Sequence, residues 1–251
     1  MSASHGLHAQ LAVDSLVRRD IKEVKHDTID VTLMALEHTI DSIFHRTGLD
    51  RLQRNPSTRL TDEDYREVAD RLGVDVAAIK AVVEIEAGRA MRGFGADEKP
   101  IINFDLTMFQ RFASRRGINL SAYRNSHAVV FNRPAIARYG SQQAAQHARL
   151  AAAREIDKDV AVLGTFWGMF QIGGFNWKRC GTESIEDFEA RMSRSERDQL
   201  ELFAAFLENG GMVESIRRHD WAKFARLYNG PAYSRRGYHT RLAKAFARYS
   251  E

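Results

Sequence analysis

Apolar residues recur at helical spacing along most of this chain. Ile29, Leu33, Leu36, Ile40, Ile43 and Phe44 form one stripe, and Gly48 is placed to stop that helix. The segment Arg54-Asn55-Pro56-Ser57 is the clearest break. It divides a helical N-terminal extension, residues 1–57, from a larger domain, residues 58–251. The second unit opens with Thr61 and Asp64 in the spacing of a capping box, ahead of Tyr65, Val68, Ala69 and Leu72 on one face. Gly73 ends that helix, and Asp75 is placed to cap the next, residues 76–87. Residues 88–100 read as a glycine-bearing loop. Ile101–Phe104 is a short extended segment, followed by a helix through Phe109 and Phe112. The pattern gives no assignment for residues 116–140. One long helix is expected over 142–162, then an apolar, glycine-rich stretch from Gly164 to Gly174. Helices over 184–209, 212–227 and 238–249 complete the chain. The fold class is mainly α with a short β element.

Composition supports this. Only 17 Gly and 4 Pro among 251 residues are too few for a turn-rich all-β fold. Cys180 is the single cysteine, so no intramolecular disulfide and no multi-cysteine zinc site can form. The nine His show no H-E-x-x-H spacing, and no G-x-S-x-G, P-loop or dinucleotide fingerprint occurs. No metal and no cofactor is expected. A Cys/His peptidase would need Cys180 activated by a base; Lys178 and Arg179 precede it, but a small core thiol is the simpler reading. No apolar run is long enough to span a bilayer. Met1–Gly6 lacks the basic start and apolar core of a signal peptide, so a product made in the cytoplasm is expected.

Charge is uneven. From Ser215 to Glu251 there are nine Lys/Arg (Arg217, Arg218, Lys223, Arg226, Arg235, Arg236, Arg241, Lys244 and Arg248) against two acids, Asp220 and Glu251. That makes a basic C-terminal surface, suited to an anionic partner or simply to solvent.

One residue breaks the pattern. On the helix 76–87, Val76, Ile79, Val82, Val83 and Ile85 cover about half of the circumference, and Glu86 falls inside that apolar arc. Glu84 points the other way, with Lys80 as a prospective partner. A carboxylate taken out of water costs several kcal/mol unless paired, and it responds by raising its pKa. Two readings follow. Glu86 is a structural acid bonded to a helix end or a buried Arg, or it is a general acid kept protonated near neutral pH, as glycosidic bond cleavage requires. Two more polar groups sit in apolar or turn settings. Gln171 lies within Gly168-Met169-Phe170-Gln171-Ile172. Tyr228 and Asn229 precede Gly230-Pro231.

At these residues the chain resembles the lysozyme-like superfamily, and more closely the N-acetylmuramidase domain of bacteriophage endolysins. The resemblance is carried by Ala81–Glu86, Gly93-Phe94, Pro100–Phe104, Trp167–Asn176, and Trp221–Pro231 with Tyr233, Gly237 and Tyr238. It covers about residues 60–250. It implies a lysozyme-like helical domain that hydrolyses the β-1,4 bond between N-acetylmuramic acid and N-acetylglucosamine, with Glu86 matching the catalytic Glu. Gln171, Tyr228 and Asn229 would line the sugar cleft, and Trp167 and Tyr238 would stack on sugar rings. Phe104 is followed by Asp105-Leu106-Thr107 where the family has Glu-Arg-His, and Phe166 stands where the family has Ser. Asp105 is the candidate second catalytic group, or else the N-cap of the next helix. The implied partner is the peptidoglycan strand, with the anionic outer-membrane surface a second one. No nucleic acid is expected, and the chain should be a monomer that reaches the wall by holin-type or other export. Two alternatives stay open. One is a lytic transglycosylase, and the other is a non-catalytic basic protein that binds wall or nucleic acid.

Overall fold

The computed structural model describes residues 59–88, 92–132, 142–230 and 233–251. The expected extension over 1–57 and its boundary lie outside the described residues. Helices α1 (Asp62–Leu72) and α2 (Val76–Ala87) open the domain. Strand β1 (Ile102–Phe104) and α3 (Leu106–Arg115) follow, then a 3-10 turn over Leu120–Tyr123 and the short α4 (Ala128–Phe131). The chain continues through α5 (Gln143–Ile156), α6 (Lys158–Leu163), β2 (Thr165–Trp167) and β3 (Ile172–Gly173). It ends with α7 (Ile185–Met192), α8 (Glu196–Asn209), α9 (Val213–Arg217), α10 (Trp221–Asn229) and α11 (Tyr238–Tyr249). The domain is mainly α with one small sheet, as the pattern predicts.

Local chemistry sets the boundaries. Thr61 and Asp64 form the expected reciprocal capping box, and Gly73 closes α1 in the left-handed region at φ 61°. Three long helices predicted from periodicity are each broken in two. Asp157, at φ −161°, ends α5, and its carboxylate accepts the Val160 N–H at 2.8 Å to start α6. Ser195 does the same for α8 through Asp198 N–H at 3.0 Å, and Asp220 for α10 through Lys223 N–H at 3.0 Å. Hydrophobic phase runs through each break, so periodicity alone hides it. Asp75 precedes α2 without capping it. Its carboxylate instead lies 2.7 Å from His219 Nε2, tying the start of α2 to the turn before α10.

The three strands form an antiparallel sheet in the order β1-β2-β3. Ile102 faces Trp167, Phe104 faces Thr165, and Trp167 faces Ile172. Alternation puts Ile102, Phe104, Thr165 and Trp167 inside, while Asn103 is exposed. The outer edge of β1 is met by side chains of α5 rather than by a strand. Gln143 both accepts from Ile102 N–H (2.8 Å) and donates to Ile102 C=O (2.9 Å). Gln146 accepts from Phe104 N–H (3.1 Å), and Arg149 donates to Phe104 C=O (3.0 Å) and Val130 C=O (3.1 Å). Packing over the sheet is close at Gly174, where a Cβ would fall 2.1 Å from the Val162 carbonyl oxygen.

The core joins α1, α2, the sheet, α3 and α8. Arg197 sits in it with Asp64 (3.1 Å) and Glu201, and with Glu67 at 2.7 Å, so its buried charge is fully compensated.

Candidate active site

Helix α2 packs along α11, and α10 packs against α11 in turn. The last residues of α2, the last of α10 and the first turns of α11 are thereby brought together. Glu86 lies one residue before the end of α2, where Gly88 turns the chain away at φ 73°. Its side chain is partly buried, and Oε1 is fully buried without a hydrogen-bond partner among the described residues. Burial pushes the carboxyl up from 4.5 to about 7, opposed by the Asn229 amide and then by the positive charge of Arg241. Glu86 is thus neither bathed in solvent nor locked to an arginine. The protonated form is therefore available near neutral pH.

Asn229 ends α10, and its Nδ2 is buried and lacks a full hydrogen bond among the described residues. An unpaired donor close to an unpaired acceptor, both dry, is the costly arrangement that structural sites avoid. Tyr228 is fixed by its ring, which stacks on Phe224 (5.8 Å) and meets Phe203 (5.9 Å) and Phe206 (6.0 Å) edge-on. Burial raises its phenol well above 10, and the nearby Glu86, Tyr238 and Cys180 add to that. Tyr238 opens α11 partly exposed, with the Arg241 guanidinium 5.5 Å from its ring centre. Glu86, Tyr228, Asn229 and Tyr238 are therefore one neighbourhood. Arg241 belongs to it too and was not singled out by the sequence.

The remaining candidates sit in the sheet and its turn. Gln171, in the β2–β3 turn, holds φ +48°. Its Nε2 donates to Gly168 C=O (2.9 Å) and Ile101 C=O (3.4 Å), closing the turn on β1's approach. The side chain's hydrogen bonds offset the strain of a left-handed non-glycine residue. Trp167 corrects the expectation of sugar stacking. It is 1% exposed, and its indole N–H donates to Val162 C=O at 3.2 Å, so neither ring face can meet a ligand. Asp105 is the N-cap of α3, accepting the Met108 N–H at 2.8 Å.

Glu84 is ion-paired, though not to Lys80. It contacts Arg248 (2.6 Å) and the Tyr249 hydroxyl (2.9 Å), while Lys80 pairs with Asp62 (2.7 Å). Cys180 is buried, and burial pushes its thiol up to about 12, against any nucleophilic role. One positioning residue was missed. Gln199 is fully buried in α8; its Oε1 accepts the Met169 N–H (2.7 Å) and its Nε2 donates to Met192 C=O (2.8 Å) and Gly93 C=O (3.3 Å). It pins the β2–β3 turn that carries Gln171. Gly168, at φ +68°, admits this contact, because a Cβ there would lie 2.6 Å from Gln199 Cδ. The signal was available, since an amide directly ahead of the apolar Leu200, Leu202 and Phe203 needs buried partners.

The model of the family described as N-acetylmuramidase matches residues 75–250. Among solved structures, the Burkholderia AP3 phage endolysin is 38% identical, superposes with a TM-score of 0.67, and is matched over 79% of this chain and 74% of that one. No curated protein matches the chain. The matched segment spans α2 with Glu86, the sheet, and α10–α11 with Tyr228, Asn229 and Tyr238. The chain belongs to the N-acetylmuramidase family and is a glycoside hydrolase of the peptidoglycan-cleaving kind.

Proposed function

We propose that this protein hydrolyses the β-1,4 bond between N-acetylmuramic acid and N-acetylglucosamine in peptidoglycan, with Glu86 as general acid. The observation that carries the reading is the Glu86 carboxyl, dry at Oε1 and raised to about 7 beside the buried Asn229 amide. A protonated Glu86 gives its proton to the bridging oxygen as the C1–O bond breaks and positive charge builds on the sugar. Asn229 and Arg241 then stabilise the carboxylate left behind, which is what keeps the pKa near neutrality rather than higher. Water adds at C1 and returns a proton to Glu86. Gln171, Tyr238 and Asn229 contribute to holding the strand. Action on the cell wall accords with kinship to a phage endolysin.

Asp105 is proposed as the second group, steering the attacking water. One of its oxygens already serves the α3 N-terminus, and this favours a second reading. In a lytic transglycosylase the 6-hydroxyl of muramic acid, rather than water, closes on C1, and no second carboxylate is needed. Digestion of purified sacculi followed by mass spectrometry separates the two. Hydrolysis gives reducing muramic ends; the internal attack gives 1,6-anhydro ends lighter by one water. The Glu86→Gln variant should lose about 10²–10⁴-fold in rate by either chemistry. Retained lysis by a folded Glu86→Gln protein would remove Glu86 from the mechanism. Asp105→Asn keeps the helix cap; a rate near wild type with anhydro products would support the second reading.

A further inference from the structure

A cavity of about 190 Å³ is lined by Glu84, Ile85, Gly88, Arg241, Lys244 and Arg248, and it shares Arg241 with the surroundings of Glu86. Its three cations stand at i, i+3 and i+7 on α11, one face of one helix. They are not equivalent. Arg248 is neutralised by Glu84 at 2.6 Å, and the Tyr249 hydroxyl donates to the same carboxylate. Arg241 and Lys244 have no carboxylate partner among the described residues. Among the described residues, Glu84 pairs with Arg248 alone, so the lining keeps an excess of positive charge, and Arg241 also acts on Glu86. Elsewhere on the basic C-terminal segment Arg217 and Arg218 are tied to Glu214 (2.6 and 2.5 Å).

We infer that this cavity is a carboxylate subsite, in which Arg241 and Lys244 bind an acidic group carried on the muramic acid next to the cleaved bond. The inference rests on the reading of Glu86 as the acid of a peptidoglycan hydrolase. A strand laid against Glu86 displays two kinds of carboxylate on its muramic side, those of the stem peptide and, where the peptide is absent, the lactyl group itself. Either matches a pair of donors from one helix face. A flat anionic membrane fits less well, because the site is concave and holds Glu84, whose negative charge would face that surface. The subsite would make cleavage depend on substituents that lie off the glycan backbone. It would also discriminate against uncharged N-acetylglucosamine polymers of the same linkage.

The test compares three substrates with the full chain: peptide-bearing strands, strands stripped by an amidase so that the lactyl carboxylate is bare, and stripped strands whose lactyl groups are converted to amides. Lys244→Glu should raise KM about five- to tenfold on a charged substrate, with kcat within about twofold and little change on the amide strands. A rise confined to peptide-bearing strands assigns the stem carboxylates; a rise on stripped strands assigns the lactyl group. The effect should shrink with added salt. Equal KM changes on all three substrates, or none, would overturn the subsite. So would loss of binding to phosphatidylglycerol vesicles with unaltered KM, which would assign the charge to a membrane. A catalytically silent Glu86→Gln protein, with and without Lys244→Glu, should show the same ratio in the Kd of a purified disaccharide bearing whichever carboxylate the substrate series assigns, that of the tetrapeptide or the bare lactyl group. That binding measurement stands apart from turnover, so failure of the hydrolase reading and failure of the subsite give different results.

Discussion

Replacing Glu86 by Gln should make this protein more stable at alkaline pH while removing its activity. The carboxyl has an ordinary value of 4.5 and is raised to about 7 by folding. Below about 4.5 both folded and unfolded chains hold the proton, and the carboxyl carries no penalty. As pH rises from 4.5 towards 7 the unfolded chain loses its proton first, so stability falls; above 7 the full penalty is present. At about 1.4 kcal/mol per pH unit, the gap between 4.5 and about 7 amounts to about 3 kcal/mol. Gln keeps the shape of the side chain and has no charge to desolvate. Urea unfolding of both proteins, followed by tryptophan fluorescence across about pH 4.5 to 8.5, measures the difference. It should be near zero at the acid end and approach about 3 kcal/mol at the alkaline end. A difference that stays constant with pH would refute the claim that folding holds this carboxyl in its protonated form. The stabilising change would then coincide with the inactivating one, as expected where a site keeps a group that the fold alone would reject.

Three further outcomes follow from the same geometry. The log of kcat/KM against pH should be level on the acid side of Glu86's transition and fall as pH rises through about 7, because the required form is the protonated one; a profile rising through that range would mean Glu86 acts as a base. Gln199→Ala strands the buried Met169 N–H and should cost about 1–3 kcal/mol in urea unfolding, with a loss of kcat that persists where the protein is fully folded. Trp167→Phe should reduce stability by roughly 1–3 kcal/mol yet leave KM on peptidoglycan unchanged, and a large KM increase in the folded variant would restore Trp167 to the binding surface.

Much of this arrangement is readable in the residues, and the parts that are not have a common cause. The phase of one helix singles out Glu86, since local geometry alone decides which way residue 86 faces. Gly73 and the Thr61–Asp64 pair likewise act within a few residues. What helical phase cannot supply is the partner across the fold. Asp75 reads as a cap, but its carboxylate is taken by His219, and Glu84 prefers Arg248 to the Lys80 one turn away. Arg241 counts in sequence only as one of many basic residues. Its influence on Glu86 exists because α11 lies along α2. Depth is equally hidden, so Trp167 beside a glycine reads the same whether buried or open. The breaks at Asp157, Ser195 and Asp220 escape periodicity because apolar phase persists across them. Each nevertheless carries a side-chain cap that short-range polar spacing could have found.

The edge of β1 has a consequence for how this domain behaves in company. A strand at the margin of a small sheet normally offers its amides to any extended peptide nearby. Here Gln143, Gln146 and Arg149 occupy those positions, so the ladder is finished within the molecule by glutamine and arginine. Along β1 the sheet is thus guarded at high concentration against adding a further strand, by a plug of side chains from a neighbouring helix.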